Sequence, residues 1–120
     1  MNTTFVVDVR VIEGGVVLVL GGDIDGTASA ALSEAYEQAL AASDPRRVLL
    51  DFTSAEYINS SGIAAIVSVL ARARVEHRKV LASGLSEHYQ EIFEITRLSD
   101  FIELHSKVEE AVSQIAESSR

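Results

Sequence analysis

The stretch Arg47-Val48-Leu49-Leu50-Asp51-Phe52-Thr53-Ser54-Ala55-Glu56-Tyr57-Ile58-Asn59-Ser60-Ser61-Gly62-Ile63-Ala64-Ala65-Ile66 decides the fold class. Val48-Leu49-Leu50 is a short apolar run of the kind that forms a buried strand, and it stops at Asp51. Arg47 to Phe52 reads as that strand, and the polar residues from there to Ile58 read as a loop. After Asn59-Ser60-Ser61-Gly62, the residues Ile63, Ile66, Val67 and Leu70 recur at helical spacing to about Glu76. The expectation is strand, loop, helix, with two hydroxyls where the helix opens. Ser60 and Ser61 are both candidate N-caps, because a serine oxygen accepts an N–H of the first turn. A helix start also presents unpaired N–H groups and a partial positive charge. It is therefore a favourable place for an anion, including a phosphate carried on serine.

Working outward, Phe5 to Ile12 roughly alternates Val7, Val9 and Val11 against Asp8 and Arg10, as a strand does. Glu13-Gly14-Gly15 is a turn signal, and Val16 to Leu20 resumes the strand pattern, giving an antiparallel hairpin. Gly21-Gly22-Asp23-Ile24-Asp25-Gly26 reads as a loop, with Thr27 or Ser29 as the following cap. Leu32, Ala35, Tyr36, Ala39 and Leu40 place an amphipathic helix over about 28–43, which Ser43-Asp44-Pro45 ends. Lys79 to Ala82 is a further short strand, and Glu87 to Ile95 a short helix. Phe101 to Leu104 fits an edge strand, and Val108, Ala111, Val112 and Ile115 a C-terminal helix. A hairpin followed by alternating helices and strands implies an α/β domain: a mixed sheet with about four helices packed on it. The Asp51–Gly62 segment then lies at the carboxyl end of a central strand, where open α/β sheets place their functional crevices.

Composition narrows the function. The 120 residues suit one domain over 1–120, and 48% apolar with 23% charged residues is a globular balance. A formal charge of −8 argues against nucleic-acid binding and against docking on anionic membrane. The absence of cysteine excludes disulfides, thiolate metal sites and cysteine nucleophiles. No stretch resembles a signal peptide or approaches the roughly 20 apolar residues of a membrane helix, so a cytoplasmic location is expected. Asp23, Asp25 and Asp51 are not spaced like a calcium loop, and Asp25 reads instead as a loop-organising or partner-contact residue. His77, His88 and His105 are scattered. Neither G-x-x-x-x-G-K-[ST] nor G-x-G-x-x-G occurs, and no nucleophile elbow supports a Ser/His/Asp triad. The reading is a non-enzyme with no cofactor and no metal.

Asp51-Phe52, the six residues that follow, and then Asn59-Ser60-Ser61-Gly62-Ile63 resemble the core motif of STAS domains. That family includes the bacterial anti-sigma factor antagonists, also called anti-anti-sigma factors. Gly22-Asp23-Ile24-Asp25 resembles the family's Gly-x-hydrophobic-Asp after the hairpin. The Leu85, Ile92-Phe93, Leu98 and Phe101-Ile102 spacing resembles its C-terminal section. The resemblance covers nearly the whole chain and agrees with the element order read above.

The resemblance implies a partner-switching protein in signal transduction and transcription regulation. Its partner would be an anti-sigma factor that is also a serine protein kinase, with a PP2C-type phosphatase reversing the modification. The phosphoacceptor maps to Ser60, the next serine to Ser61, which is left the capping role, and the glycine to Gly62. Asp25 maps to the family aspartate near the acceptor. The expected partner surface comprises Asp25, Asn59, Ser60, Ser61, Gly62, Ala65 and Ser68, the last two on a low-relief face with Ala64 and Ala71. One residue departs from the family pattern: Asn59 stands where the motif usually has aspartate. That departure, with a sheet edge offered by the hairpin, keeps open an alternative. In it the chain is a phosphorylation-independent STAS scaffold or an oligomerising module, for instance a homodimer.

Overall fold

The computed structural model describes residues 3–118. Among them the chain order is β1 (Val6–Ile12), β2 (Gly15–Ile24), α1 (Ala28–Ser43), β3 (Arg47–Ile58), α2 (Ser60–Val75), β4 (Lys79–Ser83), α3 (Glu87–Ile95), β5 (Glu103–His105) and α4 (Val108–Ser118). A 3₁₀ turn at Leu98–Asp100 precedes β5. The sheet order is β1-β2-β3-β4-β5. β1 and β2 form the antiparallel hairpin, and the remaining pairings are parallel. β3 is therefore the central strand, as its apolar run implied.

Both faces of the sheet are covered. On one, Val16, Leu18, Leu20, Val48, Leu50 and Phe52 pack under α1, α2 and Phe93 of α3. On the other, Val17, Leu49 and Leu81 meet Ala111 and Ile115 of α4. Burial on both sides explains why Val16–Leu20 and Val48–Leu50 are continuous apolar runs. Each large apolar side chain so buried contributes roughly 1.5–3 kcal/mol. Across the helix pair, the buried Tyr36 hydroxyl donates to Glu76 at 2.8 Å. Burial, with the Glu76 carboxylate beside it, pushes the Tyr36 phenol up to about 12. Arg72 pairs with Glu37 and Glu76, and Arg78 with Glu76 and Asp44. The basic end of α2 is thus largely spent on holding α1 and α2 together.

Three element assignments change. β2 runs on to Ile24 and β3 to Ile58, so most of 21–26 and all of 53–58 are strand rather than loop. These extensions pair with each other through two register shifts, at Val19/Gly21 and Gly22/Asp23. β4 ends opposite Asp51, so the outer part of β3 is paired only on its β2 side. Solvent reaches Thr53, Ser54, Glu56 and Tyr57, which gives this part of the strand the composition of a loop. The last strand is displaced to Glu103–His105, leaving Phe101 exposed after the 3₁₀ turn.

On α2 the core-facing residues are Gly62, Ala65, Ile66, Val69, Leu70 and Ala73. Val67, expected in the core, is exposed, and Ile63 is only half-buried. The helix is rotated because small residues at 62, 65 and 73 let it sit close to the sheet.

Candidate functional site

The site is built where β3 hands over to α2 and where β2 ends beside it. Ile58, the last residue of β3, is buried, and its N–H is taken by the Tyr89 hydroxyl of α3 at 2.9 Å. Asn59 turns the chain. Its N–H donates to the carbonyl of Ile24 at 3.2 Å, which fixes the turn to the end of β2. Asn59 has extended backbone angles, and its side-chain oxygen accepts the Gly62 N–H at 2.9 Å. Its carbonyl accepts the Ile63 N–H at 2.9 Å.

Asn59 is therefore the N-cap of α2, which corrects the expectation for Ser60 or Ser61. Asparagine is as good a cap as serine, and three-residue spacing to the capped amide selects position 59 once Gly62 is the third helical residue. Ser60 and Ser61 are the first two residues of the helix. Both are exposed, and neither side chain hydrogen-bonds to a described residue. The cap leaves the first N–H groups of α2 directed out of the helix end, beside the Ser60 and Ser61 hydroxyls.

The β2–α1 connection forms the second wall. Asp25 accepts from the Thr27 hydroxyl at 2.6 Å and from the Thr27 N–H at 2.9 Å. Those two bonds, the hydroxyl's first, hold the Asp25 carboxyl below the usual carboxylate range. Thr27 occupies the position before α1 but makes no side-chain cap bond, so neither Thr27 nor Ser29 caps as expected; Asp25 organises the turn. Gly26 lies against α2, with any Cβ placed on it falling 3.6 Å from the Ser61 Cβ. Asp25-Gly26 and Asn59-Ser60-Ser61 thus come together from two loops at the carboxyl end of the sheet.

Of the other expected contact residues, Ser68 is exposed and turns its hydroxyl back to the Ala64 carbonyl at 3.2 Å. Gly62 and Ala65 are buried against the sheet. They set the height of α2 and offer no surface, so the expected surface loses these two residues. Sequence reading missed Tyr89, which anchors the residue before the cap from 31 positions away. No local pattern announces so distant a bond. Among the described residues no His, Asp and Glu side chains are grouped to hold a metal.

The STAS domain family model matches residues 6–111. The chain belongs to the STAS domain family. Among curated relatives of this STAS domain, the anti-sigma-B factor antagonist of Listeria monocytogenes is 29% identical over 87 residues, spanning 72% of this chain and 75% of the relative. Among solved structures, an anti-sigma factor antagonist from Mycobacterium paratuberculosis superposes with a TM-score of 0.73 at 21% identity, covering 93% of this chain and 94% of that one. The phosphorylated form of the Bacillus cell fate determinant SpoIIAA gives a TM-score of 0.70 at 17% identity, covering 93% and 99%. At these identities the two structures support the STAS fold itself.

The cap assignment has a measurable consequence. Asn59→Ala in this STAS domain is expected to cost about 1 kcal/mol of unfolding free energy, and Ser61→Ala less than about 0.5 kcal/mol. Urea denaturation of the two variants beside wild type checks the order. Equal losses, or a larger loss at Ser61, would return the capping role to the serine.

Proposed function

We propose that this STAS domain is an anti-sigma factor antagonist that binds an anti-sigma factor with serine kinase activity and is turned off by phosphorylation at Ser60. The observation that carries the reading is the exposed Ser60 hydroxyl on the first residue of α2, with Asn59 rather than the serine itself closing the helix end. A hydroxyl with no structural duty can be modified without removing a bond the fold uses. The names of the relatives, anti-sigma factor antagonists, support the same assignment.

The chemistry follows from the position. The kinase moves the γ-phosphoryl of ATP to the Ser60 oxygen, the bond from the γ-phosphorus to the β–γ bridging oxygen breaks to release ADP, and the hydroxyl proton leaves with a base on the kinase. The product carries about −1.5 to −2 charges at neutral pH. Within the domain, outward N–H groups and the helix dipole accommodate that charge. Against a partner seated on Asp25, Asn59, Ser60 and Ser61 it is desolvated and repelled by any facing carboxylate. A PP2C-type phosphatase would restore the binding form. The chain itself acts as regulator rather than enzyme, in the cytoplasm, without cofactor.

The test is capture of the partner kinase by the unmodified domain, then incubation with ATP and phosphopeptide mass spectrometry. One phosphate on Ser60 is expected. Phosphate on Ser61 would move the assignment by one residue. A captured kinase that leaves the domain unmodified would favour the second reading, a phosphorylation-independent scaffold. Asn59 is the observation on that side, because it removes the carboxylate that the family motif places before the acceptor.

A further inference from the structure

Away from Ser60, α2 carries a second surface. Val67, Leu70, Ala71 and Arg74 of α2, with Leu98 and Phe101, line a groove of about 220 Å³. Val67 is 40% exposed, Phe101 51% and Val75, a turn beyond Ala71, 79%. These are three of the seven large apolar side chains exposed among the described residues. The Arg74 guanidinium lies over the Phe101 ring, 5.0 Å from its centroid. A neighbouring hollow of about 190 Å³ continues past Phe101 between Arg74, Arg78 and Lys79.

Cations gather at this end of α2, and all but one are neutralised in place. Arg72, Arg74, Arg78 and Lys79 are four of the ten Lys and Arg residues in a chain of net charge −8. Arg72, Arg78 and Lys79 are each paired with carboxylates. Arg74 has no carboxylate partner among the described residues; its charge rests on the aromatic face of Phe101 in the lining of the apolar groove. Val67, Ala71 and Val75 follow one another at four-residue spacing, a ridge of the pitch that packs against another helix. A second copy of this chain does not supply that helix readily. Its acidic amphipathic helix, α4, already buries Ala111 and Ile115 on its own sheet.

We propose that this groove docks an acidic amphipathic helix of a protein partner, with an apolar side chain seated between Ala71 and Phe101 and a carboxylate on Arg74. The contact is independent of the phosphorylation state of Ser60. Ala71 lies eleven residues beyond Ser60, about 16 Å along the axis at about 1.5 Å per residue. That is twice the Debye length of about 8 Å at physiological salt, so a phosphate at Ser60 acts weakly here. The domain can then remain attached to one protein while Ser60 governs its engagement of another.

The probe is a synthetic helical peptide of about four turns with leucines along one stripe and glutamates beside it. A second peptide carries lysine in place of each glutamate. Both are titrated into the isotope-labelled full chain, following amide shifts by NMR. The acidic peptide is expected to move the signals of Val67, Ala71 and Phe101 saturably and to bind about tenfold tighter than the basic one. Arg74→Glu should weaken the acidic peptide about fivefold, and Phe101→Ala should weaken both peptides. Ser60→Asp should leave both unchanged. Equal binding of the two peptides, no effect of Arg74→Glu in a chain with unaltered circular dichroism, or shifts confined to other surfaces would overturn the proposal. So would sodium laurate saturating the groove when the peptide does not bind, which would mark it as a site for apolar carboxylates. No kinase enters this assay, so its failure is separate from failure of the Ser60 switch.

Discussion

Ser60→Asp is expected to weaken the complex with the captured kinase roughly 10- to 100-fold, about 1.4–2.8 kcal/mol, while unfolding free energy changes by less than about 0.5 kcal/mol. The two halves of this result have one physical origin. Ser60 is exposed and forms no side-chain hydrogen bond with a described residue, so replacing it removes nothing from the folded chain. A carboxylate in the first turn is mildly favoured by the helix dipole. In the complex the same group is brought out of water against the partner, and like charges facing each other there cost several kcal/mol. Aspartate carries less charge than phosphate, so the phosphorylated chain should lie beyond the mimic on the same scale. Titration calorimetry gives the binding half and urea unfolding the stability half. Unchanged affinity in both Ser60→Asp and the phosphorylated chain would end the switch. A large loss of stability would show instead that Ser60 supports the fold.

Asn59→Asp sharpens the same question. It restores the residue usual in the family and keeps an oxygen able to accept the Gly62 N–H that Asn59 now takes at 2.9 Å. It therefore varies the charge beside Ser60 at nearly constant geometry. Any change in the rate of phosphorylation by the captured kinase then reports recognition rather than capping.

Much of the architecture was legible in the sequence because two signals agreed there. β-branched runs marked the hairpin and the central strand, and 3.6-residue spacing marked α1 and α2. The errors fall where local composition and tertiary position part. Thr53-Ser54-Ala55-Glu56-Tyr57 looks like a loop because it is solvated, yet it is strand because β2 continues alongside it. Ala65 was read as low surface relief; it is small because α2 presses on the sheet there. The handover from β3 to α2 at Asn59-Ser60-Ser61-Gly62 was legible, since a polar run of cap-forming residues after an apolar strand marks a helix start. Its internal division of labour was not. Asn59, Ser60 and Ser61 are all acceptable caps by type, and only the Asn59–Gly62 geometry chooses among them. The bonds from Tyr89 to Ile58 and from Tyr36 to Glu76 join residues 31 and 40 positions apart and leave no local trace.

Gly62→Ala is expected to be the most destabilising single substitution at the site, at about 3 kcal/mol or more, from the upper end of what overpacking costs. A Cβ on Gly62 would lie 1.8 Å from the Ile24 carbonyl oxygen and 2.6 Å from its carbon. Both are backbone atoms at the end of β2, so no side chain can rotate away. Relief requires α2 to lift from the sheet. Lifting breaks the bond from the Asn59 N–H to that same Ile24 carbonyl and opens the packing of Ala65 and Ile66 beneath. Gly26→Ala is the control a few ångströms away. Its Cβ would find the Ser61 Cβ at 3.6 Å, an ordinary contact, and the change should fall within about 1 kcal/mol of wild type. Urea unfolding of both variants measures the difference. Comparable stabilities would mean that α2 does not rest on the β2 backbone as described. A Gly62→Ala chain that stays folded in low denaturant should also lose kinase binding, because Ser60 and Ser61 move with the helix start away from Asp25-Gly26. Retained affinity in that chain would show that the partner reads the serines without the β2–α1 wall.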